Sequence, residues 1–217
     1  MKKYVSVFVS AVLAGICIGL GGAVYLSLKD AFTGGAVVGA LLFTVGLFTI
    51  CTKGFHLFTG KVCALFDNKP AYLLELLTVW IGNFVGGGLV ALLFSLTRAS
   101  ALQTAAAGLV AVKMTDSLLS LFVLGLLCNI FIYIAVSGYQ KIPHEIGKYL
   151  ALFLGVAVFI LCGTEHSVAD MFYWSLSGRL LTDPLGSLLR LLVITAGNAV
   201  GGVLFPLLEK AKAKLAE

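Results

Sequence analysis

From Tyr4 to Leu28 the chain runs for 25 residues without a charged side chain, and similar stretches recur to its end. An α-helix rises 1.5 Å per residue, so about 20 such residues cross a hydrocarbon layer of about 30 Å. Reading apolar runs against polar breaks places spans near 4–28, 34–52, 72–97, 115–137, 148–162 and 186–208. Composition supports that reading. The chain is 60% hydrophobic and 12% charged, whereas a soluble domain carries about 25% charged residues to cover a wetted surface. The expected fold is therefore an all-α membrane protein of six transmembrane helices, a single channel-sized domain over 1–217, with the lipid bilayer as its solvent. The opening "MKKYVSVFVSAVLAGICIG" imitates a signal peptide, but its apolar run continues to Leu28, too long for a cleaved signal core, and reads as a first span. The net charge of +5 then marks topology beside spans and gives no ground for a nucleic-acid partner.

Two spans look irregular. The second is followed by "TKGFHLFTGKVCALF", a glycine-containing break and a short apolar piece, Val62–Phe66. The fifth is followed by "GTEHSVADMF" and another short piece, Met171–Leu176. Non-helical backbone survives at membrane depth only where protein or a water-filled cavity satisfies its polar groups. "GNFVGG" (Gly82–Gly87) recurs as "GNAVGG" (Gly197–Gly202), 115 residues later, and the breaks centred on Thr59 and His166 lie 107 apart. Three spans per repeat is an odd number, so two halves, about 1–97 and 115–208, are expected as inverted repeats with the second and fifth helices broken. Paired broken helices in such repeats mark a substrate path between them. The stretch 98–116 is the one long connection.

With the N-terminus inside, the inner segments hold Lys2, Lys3, Lys53, Lys61, Lys69, Lys141, Lys148, Lys210, Lys212 and Lys214; the outer ends hold Lys29, Arg98, Arg179 and Arg190. Both termini are expected to be cytoplasmic, in a cytoplasmic (inner) membrane. Cys17, Cys51, Cys63, Cys128 and Cys162 lie in or beside apolar runs without a close CxxC pair, which favours reduced thiols over disulfides or a metal site.

An ionisable group at membrane depth is a functional candidate. His166 has two readings, a ring satisfied by a backbone carbonyl or a ligand-facing donor that can also release a proton. Glu165 and Asp170 are expected to support the broken helix, as acceptors for freed backbone N–H groups or for a neighbouring helix. The Thr59 hydroxyl either caps its own backbone or faces His166. Lys113 either snorkels to the headgroups or acts in the path. Asn83, Asn129 and Asn198 are polar groups placed to hydrogen-bond between helices, and the glycines four apart beside Asn83 and Asn198 are packing surfaces. No HExxH, GxSxG or metal-spaced histidine pair is present, and no nucleophile stands beside a base, so no enzyme, cofactor or metal is expected.

In this order and spacing, "GFHLFTGKV", "GNFVGG", "GTEHSVADMF" and "GNAVGG" resemble the formate/nitrite transporter family over nearly the whole chain. The resemblance implies an aquaporin-like six-helix protomer, a homopentamer, and one pore per protomer for a small monovalent anion such as formate, nitrite or hydrosulfide, with a proton as possible co-substrate. By motif, Leu57, Phe58 and Thr59 match the loop that interrupts the second span, and His166 matches the central histidine. Phe43, Leu47 and Phe159 match the hydrophobic constrictions, and Lys113 the lysine that concentrates the anion. Asn129 and Asn198 are carried with His166, Thr59 and Lys113 as pore and substrate contacts. Two departures stand out. No amphipathic N-terminal helix precedes span one, so gating by one is not expected, and His56 stands where relatives commonly have an acidic residue.

The expected mechanism follows from desolvation. A bare carboxylate entering an apolar slit loses its hydration, while the neutral acid loses far less. Phe43, Leu47, Leu57, Phe58 and Phe159 would form dry constrictions around a small chamber where Thr59 and His166 donate and Lys113 stabilises charge. Two rivals remain: an aquaporin- or ammonia-like channel for neutral solutes, which would normally show paired Asn-Pro-Ala boxes or twin pore histidines, and a non-transporting membrane assembly subunit, which leaves the polar breaks unexplained.

Overall fold

The computed structural model describes residues 2–216. It is all-helical among those residues, in the order α1 (Lys2–Leu28), α2 (Gly35–Lys53), the short α3 (Phe58–Lys61) with a 3₁₀ extension (Val62–Asp67), α4 (Tyr72–Ser95), α5 (Ser100–Thr115), α6 (Leu118–Lys141), α7 (Glu145–Leu161), α8 (Ser167–Leu176), the single turn α9 (Arg179–Thr182) and α10 (Pro184–Leu215). Five of these, α1, α2, α4, α6 and α10, are long and apolar enough to cross a membrane. The expected fifth span is the shorter α7, whose 17 residues reach only about 26 Å at 1.5 Å each.

One expectation is corrected outright. The stretch 98–116 is no simple connection: most of it is helix α5. Ala105–Ala107 and their apolar neighbours are strong helix formers, yet 16 residues mixed with Gln103, Thr104 and Lys113 carry too short an apolar run to read as a span. Lys113 therefore belongs to the last turn of α5, where a positive charge complements the helix C-terminus, and span four begins only at Leu118. There Ser117 caps α6, accepting the Ser120 N–H at 3.1 Å. The last helix starts at a similar device, Asp183 accepting the Gly186 N–H at 3.0 Å with Pro184 in the first helical position.

The two breaks share one local design. α2 stops at Gly54 (φ 69°) and α7 just before Gly163 (φ 64°), left-handed positions that glycine occupies without a Cβ clash. After each glycine come three non-helical residues, 55–57 and 164–166, before a new helix opens at Phe58 or Ser167. An interrupted helix strands backbone groups, and one asparagine satisfies them at each break. Asn83 accepts the Phe58 N–H at 2.8 Å and donates to His56 O at 2.9 Å and to Ala11 O of α1 at 2.8 Å. Asn198 accepts the Ser167 N–H at 2.9 Å and donates to Glu165 O at 2.8 Å and to Gly125 O of α6 at 2.7 Å.

Those clamps need close helices. A Cβ on Gly86 would lie 2.2 Å from Val12 O, and one on Gly201 would lie 2.0 Å from Leu126 O. Backbone cannot yield as a flexible side chain does, so Gly201→Val should separate α10 from α6 and pull Asn198 off Gly125. A loss of about 3 kcal/mol or more is expected, read as a lowered unfolding temperature in detergent; a variant as stable as the parent would show that this crossing tolerates separation.

The core gathers round α8, in which Met171, Phe172 and Trp174 are fully buried. The outer faces are the reverse of a soluble protein's, with Leu73, Leu77, Leu92, Leu154 and Leu189 all exposed. Such faces require hydrocarbon or a neighbouring subunit.

Candidate site between the two broken helices

The clamps bring the breaks together. Thr59 Oγ1 lies 2.9 Å from His166 Nε2, and both residues are buried. His166 is also the N-cap of α8, its Nδ1 accepting the Ala169 N–H at 3.1 Å. An Nδ1 that accepts carries no proton, so the ring hydrogen sits on Nε2 and is donated to Thr59. The Thr59 hydroxyl then has its own hydrogen left to donate.

Apolar rings close over this pair. Phe159 stacks on the imidazole, with centroids 5.5 Å apart and planes at 22°. Phe43 meets Phe159 edge-on at 6.0 Å. Two cavities lie close to the layer. A small one of about 230 Å³ is walled by Phe43, Phe159, His166, Lys113, Glu165 and Asp170 among others. A larger one of about 860 Å³ reaches Leu47 and Leu57 and opens past charged residues such as Lys61, Glu75 and Glu209. Of the five residues expected at constrictions, Phe43, Leu47, Leu57 and Phe159 thus border a cavity. Phe58 is buried at the start of α3 and borders neither.

Lys113 does not snorkel. Its ammonium is bonded to Glu165 Oε2 and stands 3.0 Å from Asp170 Oδ1, with side-chain exposures of 12%, 7% and 1%. Glu165 and Asp170 therefore answer to a neighbouring helix, through a cation, and not to the freed backbone N–H groups of the break. Arg190 holds that neighbour in place, donating to Lys113 O at 3.2 Å and Met114 O at 2.7 Å at the end of α5.

Asn129 and Asn198, expected to contact substrate, hydrogen-bond the backbone of neighbouring elements. Asn198 spends its side chain on the backbone clamp described above. Asn129 donates to Thr59 O at 3.0 Å and to Asn198 O at 2.7 Å, tying α3 to α10. Both are fully buried and border neither cavity. Sequence reading also missed Tyr25 and Tyr173, which complete the wall of the small cavity; no spacing or motif distinguishes them from the chain's other tyrosines.

Long apolar helices, apolar outer faces and two broken helices joined at a buried polar centre define a multi-pass membrane protein. Comparison with known proteins gives the particular family. Residues 1–210 match the family described as formate/nitrite transporter. The chain belongs to the formate/nitrite transporter family. It is 33% identical to the nitrite transporter NirC of Salmonella typhimurium, over 91% of this chain and 79% of that protein. It is 25% identical to the formate channel FocA of Haemophilus influenzae, over 91% and 82%. Among solved structures, an FNT family ion channel superposes with a TM-score of 0.83 at 28% identity, over 96% of this chain and 90% of that one. A pentameric formate channel with formate bound superposes at 0.84 and 24% identity, which shows a common fold.

Proposed function

We propose that the chain forms a homopentamer in the cytoplasmic membrane and that each protomer carries a small monovalent anion of the formate, nitrite or hydrosulfide class together with a proton. The observation that carries this reading is the Thr59–His166 pair, 2.9 Å apart where the two breaks meet and roofed by Phe159 close to two cavities. The Thr59 hydroxyl is the donor left for a passing oxygen or sulfur atom, and the Phe43–Phe159 layer with Leu47 and Leu57 forms the constrictions. The relatives named above support the substrate class.

The architecture belongs to the same proposal. Six spans arise if α2 with α3, and α7 with α8, each count as one broken span. Two inverted halves are supported by the breaks themselves: Gly54 and Gly163, His56 and Glu165, Leu57 and His166, and Phe58 and Ser167 each differ by 109 positions and hold equivalent places at their asparagine. In that register the counterpart of His166 is Leu57, so one half supplies the imidazole and the other an apolar wall. Both termini lie on the cytoplasmic side. Reporter fusions at the two ends that report opposite sides would remove the topology, and a native mass other than five copies would remove the pentamer.

A bare anion meets an apolar layer here, and Lys113, matched by two carboxyls, has no unshared charge to offer it. The species that crosses Phe43 and Phe159 is therefore the neutral acid, which loses far less on desolvation. Flux into proteoliposomes of formate, nitrite, hydrosulfide, ammonia and glycerol tests this directly. The three anions should enter, faster as the external pH falls; entry of glycerol or ammonia alone would establish the neutral-solute channel in its place.

Phe159→Ala tests the layer. Removing the ring should raise lactate flux relative to formate by about tenfold or more, since steric exclusion by a single apolar group is of that order. It should also cost about 3–5 kcal/mol of stability through the cavity left behind. An unchanged size cut-off would assign Phe159 to packing alone.

A further inference from the structure

We propose that Glu165 and Asp170 share one exchangeable proton, and that this proton, and not one from His166, joins the anion in the small cavity. The inference deepens the anion reading and rests on it.

A count of charge around the cavity is the starting point. One ammonium, that of Lys113, is bonded to two carboxyl groups, Oε2 of Glu165 and Oδ1 of Asp170. The other polar groups that face them are Tyr25 of α1, Tyr173 of α8, and Thr164 and His166 of the break, with the buried thiol of Cys128 on α6 close by. None of these supplies a second positive charge. The His166 ring has its Nδ1 filled by the Ala169 N–H and its Nε2 hydrogen engaged by Thr59. Arg190 directs its guanidinium at the carbonyls of Lys113, Met114 and Gly186. Two ionised carboxylates would leave one negative charge unmatched in a site whose aspartate is 1% exposed. Such a charge is removed by protonation, and two close carboxyls that share a cation share the proton as a pair.

A second observation marks where the proton is available. Asp170 Oδ1 is held by Lys113, while Asp170 Oδ2 is buried and has no hydrogen-bond partner. Asp170 and Glu165 both belong to the cavity wall beside His166. An anion entering the cavity meets a carboxylic acid there. Its oxygen lone pair takes the proton, the O–H bond of the pair breaks with its electrons left on the carboxylate, and the neutral acid moves on past Phe159. The pair, now two carboxylates against one ammonium, recovers a proton from water at the cavity mouth. One anion and one proton thus cross together.

The shared proton has a signature independent of transport. Infrared spectra of the purified, detergent-solubilised protein at neutral pH should contain the C=O stretch of a protonated carboxylic acid that shifts in heavy water. The band should vanish in Asp170→Asn and equally in Glu165→Gln, because either change leaves one carboxylate for one ammonium. Two variants guard against one failing to fold. A wild-type protein without the band, or a band that survives in both variants, overturns the proposal. In proteoliposomes, formate uptake should fall about 100-fold in each variant, the lower end of what a positioned general acid contributes; undiminished, proton-coupled uptake in a folded variant overturns the transport half. Wild-type protein that shows the band but takes up no formate would refute the anion reading and leave the shared proton standing.

Discussion

Formate flux through His166→Phe is expected to fall about 100-fold or more while the oligomer remains assembled. Phenylalanine removes the Nε2 donor that orients the Thr59 hydroxyl and fills the space beside Phe159, so a polar solute meets an apolar plug. Losing one buried donor and stranding its partner costs about 3 kcal/mol, which corresponds to about 100-fold in rate. The fold loses less. What disappears there is the cap on the Ala169 N–H, for which about 1 kcal/mol is typical. His166→Asn separates hydrogen bonding from titration. Asparagine is among the best N-caps, so its side-chain oxygen can accept the Ala169 N–H while its amide donates toward Thr59. Because the histidine of the folded site holds no proton to spare, His166→Asn should keep flux within about tenfold of wild type, the loss of about one hydrogen bond's worth of alignment, and should keep its pH dependence. A collapse of flux in well-assembled His166→Asn would return proton donation to the imidazole. Wild-type flux in His166→Phe would reduce the residue to a helix cap.

The second large effect is expected at Lys113. Replacing it with methionine conserves the stem and deletes the one cation between Glu165 and Asp170. Breaking a buried ion pair by removing one partner typically costs about 3–5 kcal/mol, because the remaining charge is left in low dielectric. Here two carboxyls are left. Lys113→Met should therefore lower the unfolding temperature in detergent more than any single substitution on the outer leucine faces, and it should abolish flux. Adding Glu165→Gln and Asp170→Asn removes the stranded carboxyls, so the triple variant should regain most of the lost stability and none of the flux. The split between stability and flux distinguishes a working charge cluster from a purely architectural one. A Lys113→Met protein as stable as wild type would mean that the ammonium is dispensable to the site.

These expectations rest on two kinds of information. Hydropathy is a local property, since whether a helix crosses hydrocarbon depends on its own side chains; the sequence alone therefore determined that this is a multi-pass, all-helical membrane chain. It placed both breaks for the same reason, because polar, glycine-containing stretches interrupt the apolar runs at 52–61 and 163–170; that Gly54 and Gly163 take left-handed backbone there was settled by the fold. The family was legible too, in motifs a few residues long. Helix α5 was not, because its alanine-rich stretch is too short and too polar for a span and has no packing partner until α8 folds against it. Nor were the partners of the polar side chains. Lys113 meets Glu165 from 52 residues away and Asn198 reaches back 73 residues to Gly125; the meeting of Thr59 with His166 across 107 was only one of two readings of that hydroxyl. A carboxylate, an amide and a hydroxyl each accept many partners of suitable chemistry, so residue type leaves the choice open. Only the tertiary structure decided it, by placing α5, α6 and α10 against the two breaks. That packing turned two asparagines expected at substrate into backbone clamps and a lysine expected to attract anions into the neutralised centre of a buried triad.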